Sequence, residues 1–160
     1  MTSKPLVVIL MGSKADMEHC TKISDACKQY GLETVLRIAS AHKTPEHAIS
    51  ILSEYEGDDR PKVYITVAGR SNALSGFTDG SVSAPVIACP PSSDSFGGAD
   101  LFSSLRMPSG IAPAVVLEPV NAALLAAKIF GVTNIEVREL VKASQKRAAN
   151  KIIADDASVR

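Results

Sequence analysis

The stretch Thr34-Val35-Leu36-Arg37-Ile38-Ala39-Ser40-Ala41-His42-Lys43-Thr44-Pro45 decides the fold. Thr34 to Ile38 is a short run of strand character. Thr44 stands at an N-cap position and Pro45 at the first helical position, so a helix begins there. A strand that passes through a short loop into a helix is half of a βαβ unit. Open parallel sheets built from such units bind ligands at the carboxyl ends of their strands. Ser40, His42 and Lys43 therefore stand where a ligand would sit. The lysine and the helix N-terminus suit a phosphate, and the imidazole can move a proton near neutral pH. A helix start needs only the cap and the proline, not the His-Lys pair.

The same alternation runs along the chain. Strands are expected at about Leu6–Met11, Thr34–Ile38, Val63–Val67, Val86–Cys89 and Ala114–Leu117. Helices are expected at about Asp16–Tyr30, Pro45–Glu56, a short one after Ala73, another near Ala99–Leu105, and Asn121–Phe130. Near-continuous apolar runs argue for strands buried on both faces, hence a parallel sheet. The expected fold class is α/β: one domain over residues 1–160, a flavodoxin- or Rossmann-like three-layer α/β/α sandwich with right-handed crossovers. A long helix at about Asn134 to Ala154 follows the completed sheet. It carries Val137, Leu140, Val141, Ser144, Ala148 and Ile152 on one face. That stripe either packs on a neighbouring subunit or covers the helix's own sheet.

With 160 residues, 46% of them hydrophobic, the chain can bury one substantial core. Its formal net charge is zero, and no basic block is long enough for a nucleic-acid surface. Aromatic residues make up 4% and Trp is absent, which leaves no stacking platform for single strands. The first apolar run is too short for a membrane span, and no small-residue cleavage site follows it, so the expected location is cytoplasmic. Cys20, Cys27 and Cys89 lack Cys-x-x-Cys spacing and read as small buried hydrophobes. His19 and His47 fall on helices without a metal-ligand cluster, so they read as ordinary surface or half-buried residues.

Three strand-end loops carry the chemistry. The first is Met11-Gly12-Ser13-Lys14-Ala15-Asp16: Ser13 can cap a helix or donate to a ligand, and Asp16 can bind ribose hydroxyls. The second is Ser40 to Pro45. The third is Ala68-Gly69-Arg70-Ser71-Asn72-Ala73-Leu74-Ser75-Gly76, where Arg70, Ser71 and Asn72 supply donors for a carboxylate-like group. The long segment Cys89 to Gly98 lies at another strand end, and Ser103 to Gly110 is expected to shape the pocket, of this subunit or a neighbour.

Five collinear stretches resemble the aminoimidazole ribonucleotide (AIR) carboxylase family of purine biosynthesis. They are Met-Gly-Ser-x-x-Asp at 11–16, Ser-Ala-His-Lys at 40–43, Ala-Gly-Arg-Ser-Asn at 68–72, Leu-Arg-Met-Pro-Ser-Gly at 105–110 and Asn-Ala-Ala-Leu-Leu-Ala-Ala at 121–127. The mutase branch of the family typically has Ser-Ala-His-Arg in its second loop and Gly-Gly-Ala-Ala-His-Leu-Pro-Gly in its third. This chain has Lys43 for that Arg, Ala73 for that second His, Ser75 for that Pro, and Arg70-Ser71-Asn72 for the small residues. It thus looks like the direct-carboxylase branch, related to the carboxylase domain of the bifunctional animal enzyme.

The resemblance implies a lyase that carboxylates 5-aminoimidazole ribonucleotide with CO2, and decarboxylates the product, without ATP, biotin, metal or other cofactor. The mutase acting on the carboxyamino isomer is the close alternative. A flavodoxin-like or receiver-like binding domain is the distant one, although the first loop lacks a receiver's acidic cluster. It further implies that Ser13, Ser40 and Lys43 hold the phosphate, that Asp16 holds the ribose, and that His42 shuttles the proton. Gly69, Arg70, Ser71 and Ala73 would bound the CO2 pocket. A homo-oligomer, octamer or tetramer, is expected, with neither nucleic acid nor membrane as partner.

Overall fold

The structure, a computed structural model, describes residues 4–160. Five parallel strands form one sheet: β1 (Leu6–Met11), β2 (Glu33–Ile38), β3 (Lys62–Val67), β4 (Val86–Ala88) and β5 (Ala114–Val115), in the order β2-β1-β3-β4-β5. Every neighbouring pair is parallel. The helices are α1 (Met17–Lys28), α2 (Pro45–Glu56), α3 (Ala73–Asp79), α4 (Pro119–Gly131) and α5 (Ile135–Ser158). Short 3-10 segments cover Lys14–Asp16 and Ser95–Ser104. The expected flavodoxin-like three-layer fold is present.

Alternation along β1 explains the two cores. All six of its residues are buried. Val7, Ile9 and Met11 meet Cys20, Ile23 and Cys27 of α1 and Ala123, Ala126 and Ala127 of α4. Leu6, Val8 and Leu10 meet Ala48, Ile51 and Leu52 of α2 and Leu74 of α3. Each fully buried Val, Leu or Ile contributes about 1.5–3 kcal/mol, so this central strand anchors both layers. The thiols of Cys20 and Cys27 lie in the first core, where burial pushes each up to about 12. They are inert packing groups.

Departures from the expected boundaries have local causes. β4 ends at Ala88, because Pro90 and Pro91 follow Cys89 and have no N–H for a ladder. β5 shrinks to an edge pair before Glu118 and Pro119, and Pro119 starts α4 at its first position. The helix expected near Ala99–Leu105 is 3-10 rather than α. Phe96, Gly97 and Gly98 precede it with φ of 51°, 63° and 80°, a left-handed kink that α-helical geometry cannot absorb.

The first half of the α5 stripe packs on its own subunit, against α4 and Tyr30, and the second half is uncovered. Val137 and Val141 are buried, Ser144 is half-buried, and its hydroxyl lies 3.4 Å from that of Tyr30. The Arg138 guanidinium donates to the carbonyls of Gly131 and Val132 at 2.6 and 2.5 Å and fixes the α4–α5 corner. From residue 145 onward every side chain is exposed, including Ala148 and Ile152. Leu140, expected inside, is 40% exposed because it lies at the edge of this contact. Among the described residues no helix is long and apolar enough to cross a membrane.

The chain leaves β1 through α1 to reach β2 on one side. It then crosses through α2 to β3 on the other side of β1. This reversal opens a crevice at the carboxyl ends of β1, β2 and β3. Gly12 N–H bonds Val67 O and Ala39 N–H bonds Met11 O, both at 2.9 Å, so the three loops start from one rigid edge.

Candidate active site

The crevice holds a cavity of about 370 Å³, within the size range of small-molecule sites. Its wall comes from all three loops: Gly12, Ser13 and Asp16; Ser40, Ala41, His42 and Lys43; Ala68, Gly69, Arg70 and Ser71. Leu74 completes it. The structure thus gathers every candidate named from the sequence except Asn72 and Ala73. Ala73 opens α3 beside the wall, its N–H turned to Ser71 O at 3.0 Å.

Each loop is fastened away from the cavity and left free toward it. In the second loop Ser40 and Thr44 bond each other. Thr44 Oγ1 accepts from Ser40 N–H at 2.9 Å, and Thr44 N–H donates to Ser40 O at 2.9 Å. Ser40 Oγ accepts from Lys43 N–H at 3.2 Å. Thr44 is therefore not a side-chain cap for α2 as expected, because its hydroxyl closes the loop instead. His42 and Lys43 are exposed, and neither side chain is bonded or ion-paired among the described residues. The N–H groups of Ala41 and His42 also donate to nothing among the described residues. They lie at the start of α2, where partial positive charge collects.

In the first loop Ser13 Oγ accepts from Ala15 N–H at 3.3 Å and begins the 3-10 turn, which leaves its hydroxyl hydrogen for a ligand. Gly12 needs no unusual φ. A Cβ there would rest against Ala68 Cβ at 3.6 Å, so the glycine keeps the cavity floor low.

The third loop differs most from expectation. Arg70 has φ of 58°, a left-handed backbone that costs a non-glycine residue about 1–3 kcal/mol. Asn72 is not a ligand donor. It is 2% exposed, its Oδ1 accepts from Ser75 N–H at 3.2 Å, and its Nδ2 donates to Ser104 Oγ at 2.9 Å. Its own N–H donates to Ser103 Oγ at 2.9 Å. Asn72 caps α3 and pins the loop to the 3-10 segment, which holds Arg70 in its strained conformation. Arg70 and Ser71 are left exposed toward the cavity. No residue of the 103–110 segment lines this cavity: Ser103 and Ser104 act on the third loop through Asn72, and Met107 packs on α3, its Sδ 3.0 Å from where a Cβ on Gly76 would stand.

A second cavity of about 470 Å³ lies beside the first, bounded by α1, the 89–98 segment and the start of α4. His19, which sequence reasoning passed over, is half-buried there. Its Nε2 lies 3.1 Å from Cys89 O and 3.4 Å from Cys89 Sγ. A carbonyl only accepts, so Nε2 carries the proton. Burial holds the imidazole below its ordinary range, against the opposing pull of the Cys89 carbonyl and Asp16. The neighbouring Cys89 thiol is pushed up to about 12 by burial, so this His-Cys contact is no nucleophilic pair. Only the strand order, which sets α1 against the end of β4, reveals His19. Among the described residues no group of three or more His, Cys, Asp or Glu side chains is placed to hold a metal.

The chain matches the AIR carboxylase family over residues 6–151. It is 60% identical to the phosphoribosylaminoimidazole carboxylase of Treponema denticola, over 98% of this chain and 99% of that protein. It is 47% identical to the mouse bifunctional phosphoribosylaminoimidazole carboxylase/phosphoribosylaminoimidazole succinocarboxamide synthetase, over 86% of this chain but 32% of the mouse protein. The crystal structure of Treponema denticola PurE superposes with a TM-score of 0.97 and covers 98% of this chain.

Because Asn72 holds two partners that have no substitute, Asn72→Ala is expected to lower stability by about 1–3 kcal/mol in the absence of any ligand. Thermal or urea unfolding of the free protein measures this; an unchanged midpoint would return Asn72 to the candidate ligand donors.

Proposed function

We propose a function from one premise: the chain belongs to the AIR carboxylase family. It is a phosphoribosylaminoimidazole carboxylase of purine biosynthesis, joining CO2 to 5-aminoimidazole ribonucleotide to give the 4-carboxy product. The observation that carries this reading is the convergence of three loops on one cavity, with His42, Lys43, Arg70 and Ser71 left free to meet a ligand. The relatives carry the name carboxylase, so the mutase alternative is not favoured.

The chemistry asks little covalent help of the protein. The amino group pushes electron density into the imidazole ring, and the ring carbon attacks CO2. A carbon–carbon bond forms, one C=O π pair moves onto oxygen, and the ring briefly carries both its hydrogen and the new carboxylate. Loss of that hydrogen as a proton restores the aromatic ring. His42 receives it in this reading, as the one histidine on the cavity wall. Lys43, Ser40, Ser13 and the free amides of Ala41 and His42 receive the phosphate at the start of α2. Asp16 receives the ribose hydroxyls. Gly69, Arg70 and Ser71 enclose the CO2, and their donors face the carboxylate as it develops. Ala73, beside the wall, leaves room where the mutase pattern carries a histidine.

The exposed second half of α5 supports a homo-oligomer. Ile152 and Ile153 are each 67% exposed, a pairing that a neighbouring subunit would cover. An octamer or a tetramer fits this reading.

The functional test uses labelled bicarbonate with unlabelled carboxyamino substrate, and separately with AIR, without ATP. A carboxylase incorporates label with AIR and saturates in dissolved CO2. Product that retains the unlabelled carboxylate without exchange would identify a mutase. His42→Asn is expected to keep the fold and lower kcat by roughly 10²–10⁴-fold, the usual weight of acid–base catalysis; near-normal turnover would remove His42 from the mechanism. Lys43→Ala is expected to raise KM for the ribonucleotide while leaving KM for CO2 nearly unchanged, and calorimetry checks the binding directly. Removing residues 146–160 spares Val137 and Val141, so each subunit should stay folded while light scattering reports a smaller assembly. An unchanged oligomer would confine α5 to covering its own subunit.

A further inference from the structure

The two cavities are separated by very little. Gly69 lines both. On the side of the second cavity, the ring of Pro91 lies against it. A Cβ built on Gly69 would stand 3.3 Å from Pro91 Cγ, so only a glycine lets the two surfaces meet this closely without displacement. Gly69 is the one residue common to the two linings, and the Pro91 ring of the second lies against it. Both sides of that contact are fixed: Arg70 and Asn72 are tied to Ser103, and Cys89, just before the two prolines, is tied to His19.

Ser13 and Lys43 stand exposed on the first cavity's wall with Ser40 beside them, so its mouth opens on that side. On the functional reading above, the ribonucleotide seats there and covers that mouth. The second substrate then has to reach the ring carbon from another side. The second cavity offers such a side. Leu101, Leu117, Pro90 and Pro119 give it apolar surface. Its charged residues, Lys22, Asp100 and Glu118, carry more negative than positive charge, and Lys22 is paired with Glu18 at 2.8 Å. That lining disfavours an anion such as bicarbonate and admits a small neutral molecule.

We propose that the second cavity is the inlet for CO2, which passes the Gly69–Pro91 contact into the carboxylation site while the ribonucleotide covers the main mouth. This rests on the carboxylase reading. The reverse reaction sends CO2 out by the same way. His19 is a positioning residue in this arrangement: its bond to Cys89 O sets where the Pro90-Pro91 turn lies against Gly69.

The test narrows the inlet without touching the residues that hold the nucleotide. Ser92→Phe and Leu101→Trp each place bulk in the second cavity. Ser92 is exposed, so its variant preserves the fold even if Leu101→Trp does not. Three quantities are compared with wild type: kcat/KM for CO2, Kd for the ribonucleotide, and the carbon isotope effect on kcat/KM for CO2. The expected result is a fall of about tenfold in kcat/KM for CO2 with unchanged nucleotide binding. The isotope effect should drop toward unity, because passage rather than bond formation then limits the rate. Unchanged kcat/KM in Ser92→Phe overturns the inlet. So does a fall with an undiminished isotope effect, which marks a distorted site. Wild-type protein that fixes no labelled CO2 with AIR overturns the carboxylase reading itself, whatever the variants do.

Discussion

Burial of β1 on both faces is the constraint on which the rest of the molecule depends. A strand with six buried residues must be paired on both edges and covered on both sides. Pairing it with β2 on one edge and β3 on the other forces the chain to reverse direction across the sheet. Covering it on both sides sends α1 and α4 to one face and α2 and α3 to the other. Right-handed crossovers then bring the loops after β1, β2 and β3 together at one end. The cavity is a consequence of that packing.

Within the cavity the loops divide their polar groups between holding and meeting. The main chain of Ser40 with Thr44, and Asn72 with Ser103 and Ser104, spend their hydrogen bonds inside the protein. The side chains of His42, Lys43, Arg70 and Ser71 bond none of the described residues. Rigid anchoring beside free functional groups is the condition for preorganised chemistry, since the donors need not reorganise when charge develops. The left-handed Arg70 fits this view, because an anchored neighbour can sustain strain that a loose loop would relax.

The region around His19 follows another logic. Burial holds its imidazole below the ordinary range, and the ring joins α1 to the end of β4. That joint fixes the proline turn, and the turn meets the third loop at Gly69. Two loops from different strands thus share one contact, and the wall of the cavity depends on packing beyond the three loops that line it.

The sequence by itself determined the sheet, the order of helices and strands, the three loops and the identity of the family. Those features are written in short-range patterns: apolar runs, a proline at a helix start, and motifs on consecutive loops. It also determined Ser13, Asp16, Ser40, His42, Lys43, Gly69, Arg70 and Ser71 as a group, since all lie on strand ends that a parallel sheet must bring together. It did not determine what each polar side chain does once there. Asn72 and Arg70 look alike as loop donors, and only packing against Ser103 and Ser104, some thirty residues away, turns one inward and leaves the other free. Thr44 reads as a helix cap until Ser40 competes for its hydroxyl. His19 reads as an ordinary helix residue until strand order sets it beside Cys89, seventy positions along the chain. Hydrogen-bond partners are chosen by distance in space, and only the tertiary structure supplies that distance.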